Sequence, residues 1–299
     1  MNYQTILHMF TEVPNLSPFD VNMAIDAGWN HCIPYTGLGV GQVADFTQDA
    51  IFSRGPKGVT RTGIFIGGRD IHRAMDMLNA ARKAMVPPFE VSVFADPSGA
   101  FTTAAAMVAC GEKAYRRRTG DSLQAKNVVV FGGTGPVGLT CAMLAAQAGA
   151  HAIIVSHESK EKADVAAAFC GERYETAITG AVGSGDAEIC ALLSEADLVF
   201  GAAKAGVQIL NDRHLASALS VKVFCDVNAV PPEGIAGLGV MDNGVELAST
   251  PAGALGIGAL AVGNVKYQTQ RALLQQMIDT DKPVYLDFSQ ALVVARSKV

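Results

Sequence analysis

The stretch Val128-Val-Val-Phe-Gly-Gly-Thr-Gly-Pro-Val-Gly138 joins a run of four apolar residues directly to the spacing Gly133-x-Gly135-x-x-Gly138. An apolar run that ends in closely spaced glycines predicts a buried strand turning sharply into a helix. In such a turn the first glycine permits the tight bend, the second lets the backbone approach a pyrophosphate, and the third lets the helix pack closely. The helix N-terminus then faces the anion with free N–H groups and the positive end of its dipole. The apolar segment Leu139-Thr-Cys-Ala-Met-Leu-Ala-Ala-Gln-Ala-Gly149 supplies that helix. A bound dinucleotide is therefore expected, with Gly133, Thr134, Gly135, Pro136, Val137 and Gly138 around its pyrophosphate.

Working outward, short β-branched or aliphatic runs recur between helical stretches at Ala152 to Val155, Asp197 to Ala203, Val221 to Asp226 and Val245 to Ala248. This alternation predicts a Rossmann-type, doubly wound parallel α/β sheet over residues 121–266. A second alternating region precedes it, with strands expected at Thr5 to Phe10, Gly63 to Ile66 and Phe89 to Phe94. Helices are expected there at Pro18 to Ala27, Asp70 to Met85 and Thr102 to Tyr115. The segment 267–299, rich in helix formers, has no evident partner in the dinucleotide region. It is assigned back to the first, giving a smaller three-layer α/β domain of residues 1–120 plus 267–299. A chain that leaves and returns makes two hinges, and ligands of such proteins lie in the cleft between domains.

A length of 299 residues suits about two domains, and 49% hydrophobic residues are ample for two cores. The net charge of -5 offers no basic face for nucleic acid. Arg116-Arg117-Arg118 is read as a solvated helix end, with a phosphate clamp as the alternative. The six cysteines show no CxxC pair or metal-ligand spacing, so no metal is expected. No signal peptide is recognisable, and no run of about 18 charge-free apolar residues is present, so a cytoplasmic protein without a membrane segment is expected.

Beyond the glycine motif, five longer segments carry a family resemblance: Ser17-Pro-Phe-Asp-Val-Asn-Met-Ala-Ile-Asp-Ala-Gly28, Arg61-Thr-Gly-Ile-Phe-Ile-Gly-Gly68, Phe94-Ala-Asp-Pro-Ser-Gly-Ala-Phe-Thr-Thr103, Asp226-Val-Asn-Ala-Val-Pro-Pro232 and Gly256-Ile-Gly-Ala-Leu-Ala-Val-Gly-Asn-Val-Lys-Tyr-Gln-Thr-Gln270. Together they resemble the bacterial NAD(P)-dependent methylene-tetrahydromethanopterin dehydrogenases over nearly the whole chain. They look more like the type accepting NAD as well as NADP than the strictly NADP-dependent type. The resemblance implies a pterin domain and a Rossmann domain flanking an active-site cleft. It also implies a tetrahydromethanopterin carrier as small-molecule co-substrate, a role in bacterial formaldehyde oxidation, and a homo-oligomer, dimer or trimer. The implied reaction removes hydride from a carbon bonded to two nitrogens, whose lone pairs stabilise the product cation. No proton carrier is then required, which agrees with the lack of an evident His/Asp dyad, metal cluster or nucleophile elbow.

The loop Ser156-His157-Glu158-Ser159-Lys160 follows the second strand of the dinucleotide region, where the ribose 2′ position is read. An acidic group there accepts hydrogen bonds from the 2′-hydroxyl and repels a 2′-phosphate. Relative to strictly NADP-dependent relatives the loop lacks an Arg-Lys pair and has Glu158 and Ser159 in its place. NAD is favoured, with His157 and Lys160 leaving room for NADP; Glu158 and Lys160 also fit an ordinary ion pair at a helix start. Asn228, after the strand that ends at Asp226, is expected at the nicotinamide ribose or amide or, alternatively, in a turn.

For the substrate, Asp20 either caps a helix or grips the donor edge of a pterin ring. Asp96 is either a turn residue or, beside Thr102 and Thr103, part of the cleft lining. Lys266 is the preferred charged group for positioning the carrier, because it follows Gly256, Gly258 and Gly263 at the return from the dinucleotide region. Two other functions share these features. Methylene-tetrahydrofolate dehydrogenase performs the same chemistry on a carrier with a different tail, and a catalytically inactive dinucleotide-binding regulatory protein would retain the glycine turn alone.

Overall fold

The computed structural model describes residues 3–299. In chain order the strands are β1 (Ile6–Thr11), β2 (His31–Thr36), β3 (Thr62–Ile66), β4 (Ser92–Ala95), β5 (Asn127–Phe131), β6 (His151–Ser156), β7 (Ile178–Val182), β8 (Leu198–Gly201), β9 (Val223–Asp226), β10 (Asn243–Glu246), β11 (Leu255–Ile257) and β12 (Tyr285–Leu286). The chain divides into two compact units. One comprises residues up to Thr102 with Tyr267–Val294 and Lys298; the other comprises Thr103–Lys266, Ala295–Ser297 and Val299.

The first unit is built on a parallel sheet of order β12-β4-β3-β1-β2. Parallel neighbours require crossovers, supplied here by helices such as Pro18–Asp26, Val43–Phe52 and Ile71–Lys83. The inner strand β3 is buried along its whole length, as its apolar run requires. β2 lies at the edge and contains Pro34, which has no N–H to contribute to a ladder and is tolerated only there. The core holds Trp29, whose indole N–H donates to the Leu274 carbonyl at 3.1 Å. Gly63 leaves room for that ring: a Cβ there would come within 2.6 Å of Trp29 and 2.9 Å of Met277. The segment after residue 267 adds the short strand β12 to this sheet beside β4.

The second unit carries a sheet of order β10-β11-β9-β8-β5-β6-β7, parallel except where β10 runs antiparallel to β11. The chain starts at the central strand β5, builds outward through β6 and β7, then crosses back to β8 and β9. The reversal between β5 and β8 is the switch point at whose strand C-termini an α/β sheet opens a crevice. Val129, Phe131, Val199, Leu210, Leu215 and Phe224 form part of the core on this sheet. Residues 103–120, grouped with the first region in the sequence-based division, belong to this compact unit. Gly111 in the helix Ala100–Thr119 lets it approach the sheet, since a Cβ there would lie 3.0 Å from Phe200.

Candidate active site

In the second unit the strand-to-helix turn joins β5 to the helix Pro136–Gln147. Its positive φ, +69°, falls on Gly132, the glycine just ahead of the recognised spacing. A Cβ on Gly132 would sit 2.6 Å from backbone atoms of Ala202 and Ala203, so this residue makes the bend and the approach to the loop after β8. Gly133 is closed by packing, with Ile154 Cβ at 2.6 Å and the Val130 carbonyl oxygen at 2.7 Å from where its own Cβ would stand. At Gly138 a Cβ would collide with the Gly132 carbonyl oxygen and lie 2.8 Å from Gly133 Cα.

Gly135 differs. Its hypothetical Cβ would meet nothing nearer than the Gly132 carbonyl oxygen, at 3.4 Å. It is the N-cap of the helix, with extended backbone, no capping side chain, and Pro136 in the first helical turn. Thr134 and Val137 are half-buried beside it. The first-turn N–H groups of a helix lack intrahelical partners, and here no capping side chain of Gly135 meets them. These residues fit a dinucleotide pyrophosphate, which needs converging donors and no intervening side chain.

Beside the turn lies a cavity of about 400 Å³, lined among others by Gly132, His157, Ala203, Lys204, Val207 and Gln208. The loop expected to read the ribose folds on itself. The Ser156 hydroxyl is buried and accepts from the Glu158 and Ser159 N–H groups at 3.1 and 3.4 Å. Ser159 caps the helix Lys160–Tyr174 by accepting from the Lys162 N–H at 3.2 Å. Glu158 is paired with Lys162 at 2.5 Å and Lys160 with Asp164 at 2.6 Å, each four residues along the helix. The hydrogen bond and charge of Lys162 hold the Glu158 carboxyl below its ordinary pKa. The ordinary ion pairing expected for Glu158 and Lys160 at a helix start is thus made by each with a partner four residues further along, not by the two with each other.

At the C-terminal end of β9 the Asp226 carboxyl is buried between Gly201 and Gly234, both of which leave it room. Burial lifts its pKa to about 6. Asn228 is occupied by its own loop: Oδ1 accepts from Gly206 and Val230 N–H groups, both at 3.0 Å, and Nδ2 donates to the Pro232 carbonyl at 2.7 Å.

In the first unit Asp20 stands in the first turn of the helix Pro18–Asp26, 3% exposed. Its Oδ1 accepts a 2.9 Å hydrogen bond from Nε2 of Gln270, a residue fully buried and 250 positions away. Gln270 was not singled out in the sequence, because nothing local marks it as the partner of Asp20. It lies on the helix Ala259–Asp279, one turn after Lys266, so the two share a helix face. Lys266 is half-buried.

Asp96 follows β4 and is fully buried. Its Oδ1 accepts from the Phe101 and Thr102 N–H groups at 3.0 and 3.1 Å, and its Oδ2 from the Thr102 hydroxyl at 2.6 Å. Asp96 and Thr102 therefore serve the start of the helix Ala100–Thr119; Thr103, next along, is half-buried. A further pair went unnoticed in the sequence. Glu12, just past β1, accepts from the Arg69 N–H at 3.0 Å, and its carboxylate lies over Gly68, whose φ is +107°. The Gly67-Gly68 doublet was the available signal.

Comparison with known proteins completes the assignment. Residues 18–98 match the family model described as methylene-tetrahydromethanopterin dehydrogenase, N-terminal. Across 98% of its length the chain is 45% identical to 98% of the NAD(P)-dependent methylenetetrahydromethanopterin dehydrogenase of Methylorubrum extorquens. The chain belongs to the methylenetetrahydromethanopterin dehydrogenase family. It is also 32% identical, over 94% of each chain, to the bifunctional protein MdtA of the same organism. The higher identity lies with the relative named for both dinucleotides, as the five segments suggested. Among solved structures, quinate dehydrogenase from Corynebacterium glutamicum in complex with NAD aligns with 99% of this family member and 100% of its own chain, with a TM-score of 0.54 at 13% identity. That likeness is one of fold alone.

Proposed function

We propose that this chain oxidises 5,10-methylene-tetrahydromethanopterin to the 5,10-methenyl form with NAD or NADP, by direct hydride transfer. The observation that carries this is the 45% identity over 98% of the chain, which spans the first unit as well as the glycine turn. A dinucleotide-binding protein without turnover would have reason to keep only the turn.

The C–H bond of the methylene carbon breaks with both electrons leaving as hydride, and the carbon becomes a cation shared by its two flanking nitrogens. The nicotinamide, when bound, supplies the hydride acceptor. No proton has to move, so the residues bind and orient rather than act as acids or bases. Gly132 to Gly138 hold the pyrophosphate through backbone N–H groups. Asp20 recognises the guanidine-like edge of the pterin, with Gln270 donating to one of its carboxylate oxygens. Lys266 positions the carrier. Asp96, Thr102 and Asn228 are engaged in their own segments and enter as supports of the helix start and loop that they fasten. Either dinucleotide serves as acceptor in this reading: the preference for NAD expected from Glu158 and Ser159 is offset by their engagement with Lys162 and with the helix start. The reading further takes the enzyme as a cytoplasmic homo-oligomer, dimer or trimer, in bacterial formaldehyde oxidation. Among the described residues no helix is long and apolar enough to cross a membrane.

Methenyl formation followed optically from the methanopterin and folate carriers, with each dinucleotide, tests the reaction. Turnover of the methanopterin carrier with the higher kcat/KM is expected. A higher value for the folate carrier would reassign the substrate, and dinucleotide binding without turnover of either would remove the enzyme reading. In the same assay Lys266→Ala is expected to lower kcat/KM for the pterin about tenfold or more while changing dinucleotide affinity less than about twofold. Equal turnover in the variant and the parent takes Lys266 out of the site.

A further inference from the structure

Three observations about the second unit converge on one residue. First, the loop after β6 has little left to offer a ribose 2′-substituent. Ser156 accepts from two loop N–H groups, Ser159 caps a helix, Lys160 is bound to Asp164, and Glu158 is neutralised by Lys162. Second, His157 from this loop lines the 400 Å³ cavity next to the glycine turn, and the same cavity is lined by Lys204 and Gln208 from the segment after β8. Third, Lys204 is exposed and, among the described residues, has no acidic partner. A lysine without an acidic partner, in a cavity that the ribose-reading loop also lines, is a point charge available to an anion.

We propose that Lys204 is the residue through which this chain accepts a 2′-phosphate, so that NADP is read from the loop after β8 rather than from the loop after β6. This rests on the proposed binding of a dinucleotide at the glycine turn, whose adenosine half would then enter the adjoining cavity. It resolves a contradiction in the charges of Ser156 to Lys160. Glu158, tied to Lys162, does not repel a 2′-phosphate as a lone carboxylate would. Lys160, tied to Asp164, does not attract one. NAD binds through the glycine turn without needing Lys204, and the 2′-phosphate gains a cation from the cavity lining, so a single pocket serves both dinucleotides.

The test uses adenosine 2′,5′-bisphosphate and adenosine 5′-monophosphate as probes, with affinities measured by calorimetry on the full chain. The two differ by the 2′-phosphate alone and contain neither nicotinamide nor pterin. The parent is expected to prefer the 2′-phosphorylated probe. Lys204→Ala should weaken its binding by about ten- to a hundredfold, as for one charge-assisted hydrogen bond, and change that of the monophosphate less than about twofold. Lys204→Arg should retain most of the preference, and Lys204→Glu should reverse it. NADPH and NADH titrations followed by nicotinamide fluorescence should show the same selective loss. No preference in the parent, or a preference unchanged in Lys204→Ala and Lys204→Glu, overturns the proposal. If the preference depends on Lys204 but neither carrier is turned over, the proposed reaction falls and the assignment of Lys204 stands.

Discussion

Two turns in this molecule bring the chain from the end of a parallel strand into a long helix, and they treat the same electrostatic problem in opposite ways. After β4, the helix Ala100–Thr119 begins with N–H groups that receive the fully buried carboxylate of Asp96. After β5, the helix Pro136–Gln147 begins at Gly135, which has no side chain to offer its first-turn donors and around whose Cβ position nothing lies nearer than 3.4 Å. Both helix starts attract negative charge through unsatisfied N–H groups and the helix dipole. One contains its own anion and the other is left for a ligand to complete. A helix start at a strand C-terminus is thus a site for a ligand only where the chain does not fill it.

Substitutions that close or empty these turns should separate the two cases. The largest effect on stability is expected for Gly132→Ala. A positive φ of 69° and backbone atoms of Ala202 and Ala203 within 2.6 Å leave a methyl group nowhere to go. Strain and overpacking together predict a loss of about 3–5 kcal/mol, with dinucleotide binding lost as well. Chemical denaturation would measure it, and a loss below about 1 kcal/mol would mean that the bend does not depend on glycine. Asp96→Ala should follow, at about 2–4 kcal/mol, since buried N–H donors and the Thr102 hydroxyl lose their acceptor. A midpoint equal to the parent's would show that the filled turn needs no carboxylate. The smallest effect on stability, under about 1 kcal/mol, is expected for Gly135→Ala, whose extended backbone tolerates a side chain and whose Cβ has room. That same variant should weaken dinucleotide binding about tenfold or more by placing a methyl group where the pyrophosphate approaches. Unchanged affinity would break the contrast between the open and the filled turn.

Much of this architecture is written locally. The apolar run at Val128 to Phe131 and the glycines after it announce strand, turn and helix within eleven residues. The elements that the sequence does not announce are edge strands, very short strands such as β11, or features that depend on distant partners. β2 and β7 each form an edge of their own sheet, and Pro34 in one and Gly180 in the other dilute the β signal that inner strands carry. β12 spans only Tyr285–Leu286 and is defined by β4 rather than by its own composition. Within the candidate site, Asp20 was legible as a carboxylate at a helix start, but Gln270 was not, because 250 residues separate them. Asp96 could be read as either a turn residue or a ligand-facing one. The decision depended on acceptor bonds to N–H groups five and six residues later, which only the completed turn creates. Lys204 carried no motif at all; its interest comes from the cavity wall on which it stands.

Trp29 gives the molecule a built-in optical probe. It is the sole tryptophan of the sequence, and it is 2% exposed within the first unit. Its emission therefore senses the solvation of that unit alone, while the second unit is silent at wavelengths that excite only indole. A denaturant titration read by tryptophan fluorescence alongside circular dichroism, which sees both sheets, would reveal whether the two halves melt in one cooperative step or in sequence.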